Sequence, residues 1–365
     1  MTEAEAMDRA LSLAWRGWGR VHPNPLVGAI VLRDGVVVGQ GWHGEFGGPH
    51  AEVAALAEAG AAAAGATLVV TLEPCVHHGK QPPCTDAIQR AGIRRVVAAL
   101  ADPNQVAAGG AAVLRSRHVE VEVGLRGPEA CRQNAAFRWR CSPSPRPWVA
   151  LKLATSLDGA IADASGHSRW VSGLEAREYV HWLRAGFDAL AVGGATARAD
   201  DPALTVRGSI IPRVAPRRVV LDRGSGLPAE LALVRTARDQ RTILVTSPAA
   251  AAAPGARALE RLGVSVVGSG SLDEGLRRLR EQEDVHSVLV EGGGRLAGAL
   301  LEAGLVDRLY WIQAPVWLGQ GAVPAFAGLP ARSLDGAPRW SVSERRALGE
   351  DTLLVVDREP CSPDL

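Results

Sequence analysis

A short stretch near the middle of the chain does most to limit what the chain can fold into. Residues 141–148 read CSPSPRPW and hold three prolines and two serines. Such a composition is typical of a linker. The chain has 365 residues, which is long for one hydrophobic core and sufficient for two. We therefore expect two domains, 1–144 and 145–365.

The first half alternates helix-like and strand-like segments. Residues 2–17 place apolar side chains at helical spacing, and strand-like runs on both sides of Asp34-Gly35 indicate a hairpin. The pattern predicts an α/β fold in which helices cover a mixed sheet. The predicted helices are 2–17, 50–59 and 86–91, the predicted strands are 27–33, 36–42, 66–72 and 96–99, and one more short element is expected within 115–123.

The second half is also α/β, with single helices between successive strands. That order favours a mostly parallel, doubly wound sheet. The predicted strands are 148–153, 189–192, 218–221, 242–245, 264–267, 287–290 and 308–312, and the predicted helices are 174–184, 254–262, 273–281 and 296–303.

The charge of the chain is almost balanced, with 40 basic and 39 acidic residues. A broad cationic face is not implied, so nucleic acid is not the expected partner. The N-terminal segment is acidic and lacks the basic start and apolar run of a signal peptide. Apolar runs stay short of the roughly 20 residues that span a bilayer. We expect a cytoplasmic protein without a membrane partner.

His50, Glu52, Cys75 and Cys84 form the most informative chemical pattern. One histidine and two cysteines suit Zn²⁺, and three protein ligands leave a fourth position for water, as in catalytic sites. Glu52 lies two residues from His50 and is free to carry a proton from that water to a leaving amine. His-x-Glu followed by Pro-Cys is typical of zinc-dependent nucleobase deaminases, although their second cysteine usually follows after two residues.

Two other interpretations of this pattern stay open at the level of sequence. His77 or His78 could complete a closed, purely structural zinc site, or the two cysteines could be buried thiols without a metal. The other three cysteines (Cys131, Cys141 and Cys361) have no comparable neighbours and are interpreted as ordinary thiols.

Several longer motifs resemble the bacterial bifunctional deaminase–reductases of the riboflavin pathway, in the expected order and over almost the whole chain. The resemblance implies a cytidine-deaminase-like α/β/α sandwich in the first domain and a dihydrofolate-reductase-like domain in the second. The motifs are HPNPLVG (22–28), PHAE (49–52), TLEPC (71–75), LKLATSLDGAIA (151–162), SRWVSG (168–173), ATARADDPALTVR (195–207) and VEGGGRLAGALL (290–301).

For the first domain the resemblance implies hydrolytic deamination of 2,5-diamino-6-ribosylamino-4(3H)-pyrimidinone 5′-phosphate. His50, Cys75 and Cys84 would hold zinc and Glu52 would move protons. Asn24 in the HPNP turn would bind the pyrimidine. The ribose-phosphate end is expected to meet His43, His78 and Lys80. Gln81 stands where the family usually has threonine.

For the second domain the resemblance implies reduction of a ribosyl group to ribityl by NADPH. The turn Gly292-Gly293-Gly294 before a predicted helix offers independent support, because glycines let the backbone approach a phosphate. The expected NADPH contacts are Ala154, Trp170, Thr196, Asp200, Gly293, Gly294, Arg295, Leu296, Ala297, Gly298 and Ala299. The expected substrate contacts are Ser168, Arg184, Leu204, Arg207 and Glu291, with Lys152 and Asp200 near the reacting carbon.

Three alternative functions stay open at the level of sequence. One is a zinc deaminase acting on cytidine, guanine or tRNA, which would leave the second half unexplained. Another is a nucleotide-binding or regulatory protein with zinc as a structural clip, in which Glu52 would have no use. The last is a working deaminase with an impaired reductase, because Arg295 stands where a smaller polar residue is usual. The family also implies a homo-oligomer, a dimer or a tetramer.

Overall fold

The computed structural model describes residues 1–224 and 226–359. The chain forms two compact units, the first covering Met1–Pro143 and the second starting at Ser144. The division falls inside the proline-rich stretch. Cys361 lies outside the described residues.

The first unit is built on a sheet with the strand order β2-β1-β3-β4-β5. β1 is antiparallel to both of its neighbours, whereas β3, β4 and β5 are parallel. The mixed sheet is thus confirmed. The helices are α1 (Glu3–Ala14), α2 (Ala51–Ala59), α3 (Cys84–Arg90), α4 (Gly110–Ser116), α5 (Gly127–Gln133) and α6 (Ala135–Cys141), and the strands are β1 (Gly28–Arg33), β2 (Val36–Trp42), β3 (Thr67–Val70), β4 (Arg95–Ala98) and β5 (Glu120–Val123).

Local sequence explains how this unit begins. Thr2 caps α1, and Glu5 returns a hydrogen bond to the Thr2 backbone, which satisfies donors that the helix start would leave unpaired. Asp34 and Gly35 both have positive φ, 50° and 75°, as a two-residue hairpin turn requires. α1 then packs closely on β1, since a Cβ at Gly28 would lie 2.0 Å from the carbonyl oxygen of Ala10.

The second unit is built on a sheet with the strand order β11-β10-β9-β8-β12-β6-β13-β16-β15. Pairing is parallel from β11 to β13, and β16 is antiparallel to β13 and β15. The strands are β6 (Trp148–Thr155), β7 (Ala160–Ala162), β8 (Ala189–Gly193), β9 (Arg217–Leu221), β10 (Thr242–Thr246), β11 (Val264–Gly268), β12 (Ser287–Glu291), β13 (Arg308–Gln313), β14 (Val323–Pro324), β15 (Ser341–Leu348) and β16 (Asp351–Asp357).

Helices connect the parallel strands, as expected for a doubly wound sheet. β12 returns to lie between β8 and β6, so the strand order changes direction there. Ligands of such sheets bind at the carboxyl ends of the strands, beside that change. The helices are α7 (Leu174–Arg184), α8 (Gly194–Asp200), α9 (Ala232–Arg235), α10 (Pro248–Ala252), α11 (Pro254–Arg261), α12 (Leu272–Glu283) and α13 (Gly294–Glu302).

The short element expected within 115–123 is β5, which begins at Glu120, whereas α4, which ends at Ser116, was missed. One expectation needs correction. Cys131 is disulfide-bonded rather than a free thiol, whereas Cys141 is free. No described helix is long and apolar enough to cross a membrane.

Candidate functional sites

Three metal-binding side chains meet at the start of two helices in the first unit. His50 is the N-cap of α2, Cys84 is the first residue of α3, and Cys75 follows β3. His50 Nδ1 lies 3.2 Å from Cys84 Sγ and 3.6 Å from Cys75 Sγ. In tetrahedral zinc coordination a nitrogen and a sulfur ligand are about 3.6 Å apart. The cluster therefore fits Zn²⁺ with only small adjustment.

The electrostatics of the cluster also favour a cation. A hydrogen bond from the Cys84 thiol, followed by one from His50, lowers the pKa of Cys75 to about 4. The same bond to Cys75, together with burial, raises the pKa of Cys84. The two adjacent sulfurs cannot both ionise without compensation, and a divalent ion would supply it.

Neither His77 nor His78 joins this cluster in the described residues, so a closed site of four protein ligands is not formed there. Glu52 instead lies in the first turn of α2 and is 4% exposed. Burial is the main reason why the pKa of Glu52 is raised. Burial favours the protonated form of this carboxyl group, so Glu52 can take up a proton and pass it on, which suits acid–base catalysis.

A cavity of about 280 Å³ opens beside the cluster and is lined by His50, Glu52 and Cys75. Asn24 and His43 also line it, and Asn24 Nδ2 lies 3.1 Å from His43 Nε2. The two sequence motifs HPNP and PHAE are therefore brought together around one cavity.

Two loops meet at another part of the cavity wall. Lys80 Nζ lies 4.0 Å from the centre of the Phe46 ring, and Gln81 Nε2 donates to the Gly47 carbonyl at 3.0 Å. Lys80 lines the cavity, as expected. His78 is exposed and is not among the lining residues, whereas its neighbour His77 is. The expectation for His78 is corrected accordingly.

Several lining residues were missed in the sequence because they come from distant segments. Asp102 and Asn104 follow β4, and the main-chain N–H of Asp102 donates to Glu73 Oε2 at 3.0 Å. Burial raises the pKa of Asp102 to about 6. The sequence Asp-Pro-Asn (102–104), a few residues after a buried strand, was the available signal for these residues.

Asn134 was missed as well, although it supports the HPNP turn. Its Oδ1 accepts from the Leu26 N–H at 2.8 Å and its Nδ2 donates to the Leu26 carbonyl at 2.9 Å. Asn134 is 4% exposed and Leu26 is 5% exposed. A buried amide thus holds the backbone two residues after Asn24.

In the second unit, two glycine-containing turns lie side by side where β8 and β12 end. Gly292 and Gly293 have φ of 71° and 78°, a region that favours glycine. A Cβ at Gly293 would lie 2.8 Å from Thr196 Oγ1, so Thr196 on α8 and the start of α13 are immediate neighbours. Two helix N-termini at the carboxyl edge of parallel strands fit a dinucleotide phosphate, as NADPH requires.

The expected cofactor segment on α13 is only partly available to a ligand. Ala297 is fully buried, and a Cβ at Gly294 or Gly298 would collide with the Pro324 or Ala327 carbonyl oxygen at 2.3 or 2.5 Å. Protein packing therefore accounts for these two glycines. Arg295 is exposed, whereas Leu296 and Ala299 are half-buried.

Arg184 and Glu291 form a buried ion pair at the same edge of the sheet. Arg184 Nε and Nη2 lie 2.5 and 2.8 Å from the two Glu291 oxygens, and Nη1 donates to the Thr205 carbonyl at 2.9 Å. Lys152 on β6 is paired with Glu291 on β12 in the ladder. Burial lowers the pKa of Lys152, against the opposing charge of Glu291.

The remaining expected residues lie on segments that reach this edge. Leu204 is buried, and the Arg207 N–H donates to His181 Nδ1 on α7 at 3.2 Å. Arg169, between Ser168 and Trp170, donates to the Asp200 carbonyl at 2.6 Å. Trp170 is 69% exposed, with the Arg177 guanidinium 4.8 Å from its ring centre. Ala154 lies near the carboxyl end of β6.

Two family models match the chain. The cytidine and deoxycytidylate deaminase zinc-binding region matches residues 1–100, and the RibD C-terminal domain matches residues 147–354. The riboflavin biosynthesis proteins RibD of Aquifex aeolicus and Escherichia coli are each 40% identical to the chain. These alignments cover 96% and 97% of the chain and 97% and 99% of the relatives. The chain belongs to the RibD family.

Solved structures agree with this membership. Acinetobacter baumannii RibD, form 1, superposes with a TM-score of 0.81 at 36% identity and covers 97% of this chain and 98% of its own. A diaminohydroxyphosphoribosylaminopyrimidine deaminase/5-amino-6-(5-phosphoribosylamino)uracil reductase from Thermotoga maritima superposes with a TM-score of 0.80 at 35% identity. That superposition covers 98% of this chain and 99% of the Thermotoga maritima chain.

As a RibD protein, the chain is a bifunctional deaminase and reductase of riboflavin biosynthesis that uses zinc and NADPH. The predicted fold classes of both halves are confirmed at the same time. A deaminase for cytidine, guanine or tRNA is not supported, since it would leave residues 147–354, which match the RibD C-terminal domain, unexplained. A purely regulatory role for the chain fails for the same reason.

Proposed function

We propose that residues 1–144 deaminate 2,5-diamino-6-ribosylamino-4(3H)-pyrimidinone 5′-phosphate and that residues 145–365 reduce the product, 5-amino-6-(5-phosphoribosylamino)uracil, to its ribityl form. One observation carries the first assignment: His50, Cys75 and Cys84 converge in a cavity that also holds the buried Glu52. The choice of substrates is supported by the similarity to the Thermotoga maritima enzyme, whose name contains both activities.

In the deaminase, His50, Cys75 and Cys84 would hold zinc. When bound, zinc supplies a Lewis acid that makes water a nucleophile at neutral pH. The Glu52 carboxylate takes a proton from the attacking water and passes it to the nitrogen bound to the ring carbon. The carbon–nitrogen bond then breaks, ammonia leaves and a carbonyl group remains. Burial of Glu52 supports this role, because a buried carboxyl group binds a proton more readily.

The polar groups around the cavity would hold the rest of this substrate. Asn24 offers an amide to the pyrimidine edge and contacts His43, whose ring packs against the ring of the zinc ligand His50. Lys80 offers a cation to the ribose phosphate from the cavity wall.

In the reductase, NADPH supplies a hydride when bound. The turn at Gly293, with Thr196 and the exposed Arg295, would receive its phosphates, and Trp170 offers a flat apolar face to a ring. Reduction at the ribosyl C1′ would open the sugar ring and would require one proton at the ring oxygen. Lys152 is suited to deliver that proton from Nζ, because burial lowers its pKa.

The substrate of the reductase would lie against the ion pair. Arg184, Glu291 and the segment from Leu204 to Arg207 are tied together by hydrogen bonds through Thr205 and His181. A carboxylate fixed in this way offers a defined acceptor edge to ribose hydroxyl groups, and Arg207 and Ser168 can reach a phosphate. Asp200, the last residue of α8, adds a polar group near the reacting carbon.

The ratio of NADPH oxidised to ammonia released tests the proposal. Zinc-loaded protein receives the diaminopyrimidinone ribotide and NADPH, and ammonia release and NADPH oxidation are followed together. We expect one NADPH per ammonia, and Glu52→Gln should abolish both with this substrate but keep NADPH oxidation with the deaminated intermediate. Ammonia without NADPH oxidation would restrict the assignment to the deaminase. Absence of ammonia would overturn the assignment of this substrate to the first domain.

We also propose that the enzyme works in the cytoplasm, where NADPH is available, and as a dimer or tetramer. Both follow from the family resemblance. Sedimentation of the purified protein would test the oligomer.

A further inference from the structure

His43 lines the deaminase cavity but offers neither ring nitrogen to a ligand. The side chain is 3% exposed, its Nδ1 lies 3.0 Å from the Pro49 carbonyl oxygen, and its Nε2 lies 3.1 Å from Asn24 Nδ2. A backbone carbonyl can only accept a hydrogen bond, so Nδ1 carries the proton. Nε2 of the neutral ring is then an acceptor, and the Asn24 amide must donate to it.

This arrangement decides which atom of Asn24 a substrate meets. An asparagine amide can turn over and exchange its donor and acceptor sides. With Nδ2 bound to His43, Oδ1 occupies the other side. Oδ1 accepts no hydrogen bond from the described residues, and Asn24 is half-buried in the cavity wall. The cavity therefore presents an acceptor at this point, which matches the N–H and amino donors of a diaminopyrimidinone.

We infer that His43 is a positioning residue for deamination: it acts through Asn24, by fixing the side-chain amide with its oxygen available to the substrate. The inference rests on the proposed function, in which Asn24 binds the pyrimidine. It replaces the expectation that His43 meets the ribose phosphate, because both ring nitrogens already have protein partners.

The same ring also links the substrate side of the cavity to the metal side. The carbonyl oxygen of Pro49 accepts the hydrogen bond from His43 Nδ1, and Pro49 directly precedes the zinc ligand His50. The rings of His43 and His50 pack edge to face, with centres 5.5 Å apart and an angle of 78°. His43 can therefore hold Asn24 in register with the metal site.

Two substitutions at His43 separate the acceptor from the ring. His43→Phe keeps an aromatic ring beside His50 but has no acceptor, whereas His43→Gln can place an amide oxygen near the position of Nε2. Both are made in the full chain and loaded with zinc. We expect His43→Phe to lower kcat/KM for ammonia release from the diaminopyrimidinone ribotide roughly ten- to a hundredfold, as misplacement of a substrate contact does. His43→Gln should recover most of the loss.

Zinc content and NADPH oxidation with the deaminated intermediate serve as controls. Both should stay at wild-type levels in each variant, because the second unit folds around its own core. If His43→Phe loses zinc, the ring nitrogens of His43 support the metal site and the inference is overturned. Failure of His43→Gln to restore activity also overturns it, since an acceptor at that position would then not be what matters.

A double-mutant cycle with Asn24→Ala tests whether His43 acts through Asn24. The effect of His43→Phe should almost vanish when Asn24 is alanine, because the group that it positions is gone. An equal loss in both backgrounds would overturn the inference and indicate direct substrate contact. If Asn24→Ala alone leaves ammonia release unchanged, the proposed role of Asn24 is wrong and the inference falls with it. That result is distinct from a lack of coupling.

Discussion

Arg184→Gln removes the charge that keeps Glu291 ionised at the reductase site. Burial would raise the pKa of Glu291, but the charge and hydrogen bonds of Arg184, together with Lys152, hold it below the usual 4.5. Glu291 is 9% exposed, and the two charges approach within 2.5 Å. Removing one member of such a buried pair costs about 3–5 kcal/mol, because the remaining charge is left without compensation.

The effect of this substitution depends on pH with a definite sign. In the wild type, the lowered pKa of Glu291 gives stability that is present above the unfolded pKa and is lost as pH falls through the folded pKa. Without Arg184, we expect burial to outweigh the remaining charge of Lys152, so that the pKa of Glu291 rises above its unfolded value. Stability of the variant then falls as pH increases through that range. The difference between the two proteins should therefore widen as pH rises from below the unfolded pKa of 4.5.

The two activities of the chain provide an internal control for the assay. We expect Arg184→Gln to lower NADPH oxidation with the deaminated intermediate by roughly a hundredfold or more, since a carboxylate and its orienting arginine are lost together. Ammonia release should stay near the wild-type rate. Urea unfolding at several pH values measures the free-energy difference.

Arg241→Gln is the matched control. Arg241 makes a similar double contact with Glu283, at 2.6 and 2.9 Å, directly before β10 and so at the amino end of that strand. It should affect stability without a selective loss of reductase activity. Unchanged NADPH oxidation in Arg184→Gln, or an equal loss in Arg241→Gln, would refute the assignment of the Arg184 pair to the site.

Three further predictions concern the first unit. Cys84→Ser should reduce bound zinc, measured by atomic absorption, and abolish ammonia release, while NADPH oxidation with the deaminated intermediate persists. Asn134→Asp should destabilise the unit by about 1–3 kcal/mol in urea unfolding, because an aspartate oxygen replaces the amide nitrogen that donates to the Leu26 carbonyl. An unchanged urea midpoint of unfolding would contradict this. In zinc-free protein, Asp102→Asn should stabilise by at most about 3 kcal/mol at neutral pH, since burial raises the Asp102 pKa to about 6. That gain should disappear below the unfolded pKa of 3.8.

Regular elements with a strong periodic pattern could be predicted from the sequence. Val36–Trp42 and Leu174–Arg184 were predicted with the bounds that the structure has. The pairing of β15 with β16 was missed, because Ser341–Leu348 is mostly exposed and has three consecutive charged residues at its centre, so it lacks an alternating apolar face. β15 is held in the sheet by its pairing with β16, and the sequence of β15 alone does not reveal this pairing.

The site followed the same rule. His50, Glu52, Cys75 and Cys84 lie in short motifs whose chemistry is recognisable by itself. Asn134 is 108 residues from the Leu26 backbone that it supports, and asparagine has many ordinary uses in a surface helix or turn. Only the folded chain shows that the oxygen and the nitrogen of its side-chain amide are buried and both hydrogen-bonded to Leu26.

The unusual cysteine spacing is part of how the deaminase cavity is made. Eight residues separate Cys75 from Cys84, where the common deaminase motif has two. Both cysteines still reach His50, because Cys84 begins α3 and the intervening segment forms a loop. That loop supplies His77, Lys80 and Gln81 to the cavity, and Gln81 ties it to the Gly47 carbonyl. A two-residue spacing could hold the same metal but could not build this wall. The departure from the common motif therefore adds side chains to the wall of the substrate site, while both cysteines stay within reach of His50.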